Sequence, residues 1–281
     1  MVRWFSINRL KFIDEKKLFK LNYNNFDIKS KFIGNAQVVT IDNFFVNPDD
    51  VRDFCLEFPL TLSEKSMNYW PGARQNVKCD TSELGSVFDT TLKNVFKETK
   101  YTVQDLPEIN INILDSAFNN KFNDRGKKEY FHPHHDSLPW QHPNRYRKLF
   151  ASTIWLNTPE ECNGGTSFWK NKYADAQSFL YKPAMGNLFE LMASFPSFTK
   201  EVEHWRYKDK DPKKFEVSKV SRDVKYHTWW PNESTEHWEY MDNSKMKYNR
   251  MIMYSGIYFH SLWVEKDWFT EFPRVSMQFF M

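Results

Sequence analysis

Residues 131–166 read FHPHHDSLPWQHPNRYRKLFASTIWLNTPEECNGGT, and the rest of the chain is organised around them. The stretch opens on imidazoles closed by a carboxylate, His132-Pro133-His134-His135-Asp136. The apolar run Leu149 to Leu156 predicts a buried strand, and Gly164-Gly165 predicts a turn whose duty is backbone geometry. In an extended chain, residues two apart share a face. His134 and Asp136 are therefore expected to project together, with His135 on the opposite side. His132 has the same parity and is expected to face inward with them.

Upstream of this stretch the period is helical. AQVVTIDNFF, from Ala36, predicts a strand, and Asn47-Pro48 opens a helix with Asn as cap and Pro at the first position. Val51, Phe54, Cys55 and Phe58 give that helix one apolar stripe. Leu84, Val87, Phe88, Leu92, Val95 and Phe96 predict a second helix over about 82–98. Residues 66–79, with Pro71-Gly72, are expected to form a loop. Ile109-Asn110-Ile111-Asn112-Ile113 alternates as a half-buried strand does. Downstream, Asn249 to Phe259 and Val275 to Phe280 are further strand candidates. The expected fold is an α+β or mostly-β body, one domain over 1–281, with helices on one side. Residues 1–35 are expected to be an arm or edge element. Residues 170–246, irregular with helical pieces at 178–194 and 200–207, are expected to be an insertion and a possible lid.

The 281-residue chain is long enough for a large core. Its 39 basic and 36 acidic side chains leave a net charge of +3, too balanced to imply nucleic acid, and none is expected as a partner. The 26 Phe, 13 Tyr and 11 Trp, against 8 Gly, suit a core filled with rings. The three cysteines are odd in number and widely spaced, which argues for a reducing compartment, and no C-x-x-C pair argues for structural zinc. No segment has the apolar length to span a bilayer, so no membrane partner is expected and the chain is expected to be soluble and cytoplasmic.

An imidazole and a carboxylate on one face are two thirds of the facial arrangement that holds non-haem Fe(II) with open coordination positions. A distal His260 and an Arg274-Val275-Ser276 pattern, the only Arg-x-Ser in the chain, lie near the C-terminal end. Arg274 and Ser276 share strand parity, so the guanidinium and the hydroxyl are expected on one face.

The order His-x-Asp, distal His, then Arg-x-Ser resembles the 2-oxoglutarate- and Fe(II)-dependent oxygenases, in particular their prolyl-hydroxylase-like branch. Ser152 to Asn157 followed by Gly164-Gly165-Thr166 is similar to that branch's strand ending in Leu-Asn and its Gly-Gly turn. The resemblance covers roughly 130–170 and 247–281, with a looser echo in IDNFFVNPDDVRDF. It implies a double-stranded β-helix, the jelly-roll barrel, with iron at one open end. It also implies His134, Asp136 and His260 as iron ligands, and Arg274 paired with the distal carboxylate of 2-oxoglutarate. Ser276 would add a hydroxyl bond to the same group. Trp155 stands where a relative would place a tyrosine, and its indole N–H is able to donate there. The activity implied is hydroxylation of a small molecule or protein side chain, coupled to conversion of 2-oxoglutarate to succinate.

Alternatives stay open on the residues alone. His132 competes with His134 for the first ligand position, and His204, His227 and His237 compete with His260. His134 and Asp136 also suit a buried hydrogen-bonded pair without metal, and Arg274 suits a structural ion pair. The basic and aromatic loop 140–148 suits either a substrate contact or a solvated turn. A cupin-like metalloprotein without 2-oxoglutarate, and a non-catalytic binding module on the same barrel, are the rival functions.

Overall fold

The computed structural model describes residues 15–57, 73–77, 82–97, 109–114, 133, 136, 150–172, 177–178, 233–234, 238–265 and 268–280. These residues form a β-rich, mostly antiparallel fold with few helices. A short helix α1 (Glu15–Leu18) precedes a hairpin of β1 (Asp27–Ile33) and β2 (Ala36–Asp42). Helix α2 (Pro48–Glu57) follows, then β3 (Ala73–Val77), α3 (Ser82–Asn94) and β4 (Ile109–Leu114). The remaining strands are β5 (Phe150–Trp155), β6 (Gly165–Asn171), β7 (Trp238–Lys245), β8 (Arg250–Ser255), β9 (His260–Trp263) and β10 (Arg274–Phe280).

Seven strands form one sheet in the order β1-β2-β8-β5-β10-β4-β3, and three form a second, β7-β6-β9. Alternation of side chains splits the large sheet into two apolar faces. On one, Ile109, Ile111, Ile113, Ile154, Met251, Met253, Val275, Met277 and Phe279 join Val51 and Phe54 of α2 and Leu84, Phe88 and Leu92 of α3 in a single core. On the other, Val38, Ala151, Trp155, Ile252 and Tyr254 pack with Phe168 and Met246 from the small-sheet region. The layers are thus helices, large sheet, small sheet.

The α2 helix begins where its sequence cues put it. Pro48 occupies the first position, Asp49 and Asp50 complement the positive end of the helix dipole, and the Val51 N–H reaches the Asn47 carbonyl at 3.3 Å. The Gly164-Gly165 pair leads into β6 between β7 and β9. Gly164 has φ 81°, and a Cβ at Gly165 would stand 2.1 Å from the Ser244 carbonyl oxygen, so only glycine fits.

Several expectations change. The loop expected over 66–79 contains strand β3 (Ala73–Val77), paired with β4, which supplies the hydrogen bonds its sequence did not advertise. The strand expected over Asn249 to Phe259 ends at Ser255, and His260 begins a separate strand, because the chain turns at Gly256 and crosses to the small sheet. Both ends of the stretch expected as an insertion over 170–246 are strand: β6 runs to Asn171, and Trp238–Lys245 is its antiparallel partner. Of residues 1–35, expected as an arm or edge element, Asp27–Ile33 form β1 at the edge of the large sheet. Of the helical piece expected at 178–194 only Ser178 is described, and it forms an isolated antiparallel bridge with Tyr258; its remainder, the piece expected at 200–207 and loop 140–148 lie outside the described residues.

Candidate functional site

One cavity between the two sheets is lined by Asp136, His260 and Arg274, together with Asn112, Thr153, Tyr254 and Gln278. Asp136 and His260, far apart in sequence, meet there. The Asp136 N–H donates to the Gly256 carbonyl at 2.7 Å, which ties the Asp136 backbone to the turn that precedes β9. The Asp136 Oδ2 lies 3.1 Å from the His260 Nε2, and both side chains are largely buried. His260 Nδ1 lies 2.9 Å from the Tyr258 carbonyl oxygen, to which it donates.

With Nδ1–H committed to a carbonyl, Nε2 is the atom presented to Asp136. Burial alone lowers the imidazole pKa. The carboxylate of Asp136, by charge and hydrogen bond, and the Tyr258 carbonyl outweigh it and leave the pKa above its ordinary value. A divalent cation held by both groups would bind them in their deprotonated forms, imidazole and carboxylate, in place of any proton shared between them.

Arg274, at the start of β10, is 3% exposed. Its Nη1 donates to Ser276 Oγ at 3.1 Å, its Nε has no hydrogen-bond partner, and among the described residues it makes no ion pair. Burial lowers its pKa to about 10. The nearby Cys162 offers no compensating charge at neutral pH, because burial pushes that thiol up to about 11. The indole Nε1 of Trp155, fully buried on the neighbouring strand opposite Ser276, also lacks a partner among the described residues. The orphaned cationic donor of Arg274, in the lining of the cavity, suits a carboxylate, whereas Trp155 is not among the residues that line it.

The backbone around Arg274 is clamped. The Asn157 side chain, wholly buried, accepts from the Val275 N–H at 2.7 Å and donates to the Pro273 carbonyl at 2.8 Å. One amide thus fixes the residues on both sides of the arginine. Glu161, which also accepts from Asn157, is held by Arg52 of α2 at 3.0 and 2.9 Å.

Of the six residues singled out from the sequence, Asp136, His260 and Arg274 share the cavity, and Ser276 touches Arg274. Trp155 has the right parity and an unpaired donor. His134 lies outside the described residues, as do His132, His204, His227 and His237. Among the described residues no three His, Cys, Asp or Glu side chains converge on one point. Tyr254, Asn112, Thr153 and Gln278 were missed. The asparagines of ININI were legible as the polar positions of a half-buried strand, and of the two, Asn112 lines the cavity.

Burial also raises the Tyr254 phenol well above its ordinary pKa, with the Asp136 charge acting in the same sense. Its ring stands edge-on to Phe168 at 5.1 Å and to His260 at 4.9 Å.

A family model described as "Family of unknown function (DUF6445)" matches residues 24–219, a span that includes Asp136 and ends before His260 and Arg274. No curated protein matches the chain. Among solved structures, a novel N-substituted L-amino acid dioxygenase from Burkholderia ambifaria AMMD is similar at 10% identity and a TM-score of 0.32, over 86% of this chain and 81% of that one. A likeness at that level carries no weight for fold or chemistry. No helix among the described residues is long and apolar enough to cross a membrane.

Proposed function

The chain belongs to the DUF6445 family, whose function is unknown, and from the site itself we propose that it is an Fe(II)- and 2-oxoglutarate-dependent oxygenase on a double-stranded β-helix. One observation carries the proposal: a buried arginine with no ionic partner among the described residues opens on the same cavity as a buried histidine–aspartate pair. A structural role explains either feature alone. Together they suit a metal at one end and a dicarboxylate reaching the cation at the other. The resemblance of the His-x-Asp and Arg-x-Ser motifs adds support, as do two antiparallel sheets facing each other across the site.

In this proposal Asp136, His260 and His134 hold the metal, and Arg274, Ser276 and Trp155 hold the distal carboxylate of 2-oxoglutarate. Bound iron with 2-oxoglutarate and O2 supplies a two-electron oxidation that yields succinate and CO2 and places one oxygen atom in a substrate C–H bond. The chain's own residues orient and shield. The Tyr258 carbonyl fixes the His260 tautomer so that Nε2 faces the metal. Gly256 holds the Asp136 backbone. Asn157 fixes the Arg274 backbone, and the apolar side chains Leu114, Leu262 and Phe280 that line the cavity limit water in it. The substrate is a small molecule or a protein side chain.

The test is metal and co-substrate binding by the purified full chain under anaerobic conditions, followed by succinate formation in air. Wild type is expected to take up Fe(II) and then 2-oxoglutarate. Asp136→Ala is expected to lose the metal, and Arg274→Met to keep the metal and lose 2-oxoglutarate. Unchanged metal uptake by Asp136→Ala and His260→Ala would refute the proposal. Metal uptake without any 2-oxoglutarate binding would favour a cupin-like metalloprotein instead.

A further inference from the structure

We infer that Tyr254 is an additional co-substrate-binding residue, whose phenolic hydroxyl donates a hydrogen bond to a carboxylate oxygen of the ligand held beside Asp136 and His260. The inference rests on the proposed oxygenase function. It adds a donor that belongs to neither the His-x-Asp nor the Arg-x-Ser motif.

The alternation of β8 places Met251 and Met253 in the helix-side core, and Ile252 and Tyr254 on the face toward the small sheet. Tyr254 is 4% exposed and lines the cavity shared by Asp136, His260 and Arg274. Its ring is held from two sides by Phe168 and His260. No hydrogen bond to that hydroxyl is found among the described residues. A buried tyrosine hydroxyl ordinarily has a partner. Phenylalanine would make the same ring contacts without desolvating an O–H. The missing partner therefore belongs in the cavity.

Position indicates what that partner is. Through the sheet register, Tyr254 is level with Ala151 and Phe280, at the far end of β10 from Arg274. A molecule with a carboxylate at each end, held by Arg274 at one, would present the other to Tyr254 beside His260. A neutral phenol donates to that charge, and Thr153, Asn112 and Gln278 line the space between with uncharged polar groups.

The experiment uses the full chain loaded with Co(II), whose visible absorption reports the metal and then 2-oxoglutarate added to it. Tyr254→Phe keeps the ring and deletes one donor. Its Co(II) affinity is expected to match wild type, while 2-oxoglutarate binds about tenfold more weakly, the loss of one charge-assisted hydrogen bond. A tyrosine difference band in the ultraviolet is expected when 2-oxoglutarate binds the wild type, and is expected to be absent in Tyr254→Phe; thermal unfolding of both proteins checks that the variant folds. Equal 2-oxoglutarate affinity in the two proteins, or the same difference band in both, would overturn the inference and leave the oxygenase proposal standing. Failure of the wild type to bind Co(II) or 2-oxoglutarate would overturn both.

Discussion

Arg274→Met is expected to make the ligand-free protein more stable while removing its response to 2-oxoglutarate. The guanidinium is 3% exposed, has one hydroxyl partner, and is held at a pKa of about 10 by burial. The sign follows from which form burial disfavours. The charged form is destabilised in the fold, so the cost is present at every pH below about 10 and relaxes only as the pH rises through that value. At about 1.4 kcal/mol per tenfold change, the cost is about 3 kcal/mol. Loss of the Ser276 bond returns about 1 kcal/mol. The net gain is about 1–2 kcal/mol, or roughly 2–8 °C in Tm for a chain of this size. Methionine fills most of the vacated volume without a charge. Thermal and urea unfolding at neutral pH, with and without 2-oxoglutarate, is the assay. With the metal present, wild type should gain about 2.7 kcal/mol at a ligand concentration of 100 Kd, and the variant nothing. A variant that is destabilised without ligand, or still stabilised by 2-oxoglutarate, refutes the view that this arginine is held in reserve for an anion.

Other substitutions probe the supports of the site. Asn157→Leu leaves the Val275 N–H and the Pro273 carbonyl buried without their partner, and is expected to cost about 2–4 kcal/mol in urea unfolding. An effect below about 0.5 kcal/mol would mean the clamp is dispensable. Asp42 is buried beside Arg250 and Lys247; burial by itself raises its pKa, and the hydrogen bonds and charges of those two cations outweigh it and hold the pKa below the usual carboxylate range. Stability from this group is present above the ordinary carboxylate pKa and lost as the pH falls through the depressed one. Asp42→Asn should therefore lower stability at neutral pH and flatten the acid limb of the stability curve, and an unchanged limb would contradict this. The Cys162 thiol, pushed up to about 11, should react with iodoacetamide at pH 8 far more slowly in the native protein than after unfolding, as read by peptide mass spectrometry.

Much of the fold was legible because local chemistry acted alone. Asn47-Pro48 and the stripe Val51, Phe54, Cys55 specify α2 whatever it packs against. The apolar run around Phe150 to Trp155 marks a strand because it is buried on both faces, and it lies between β8 and β10 with the helices on one side and the small sheet on the other. β3 was missed because ARQNV carries no apolar alternation, and its strand geometry comes from β4 beside it. The strand at Trp238–Lys245 was hidden for the same reason, since WEYMDNSK is mostly polar and is held in register by β6.

By itself the sequence determined which side chains share parity: Arg274 with Ser276, Ile109 with Ile111 and Ile113, Met251 with Met253. Parity is a property of two or three consecutive residues, so nothing distant is needed to fix it. Tertiary structure alone decided that Asp136 meets His260 through the turn at Gly256, that Asn157 reaches across to grip both sides of Arg274, and that Tyr254, packed in the core between the sheets, also lines the cavity. Each of those depends on which strand becomes the neighbour of which. Neighbours are chosen by the packing of whole sheets, and no short window of sequence contains that information.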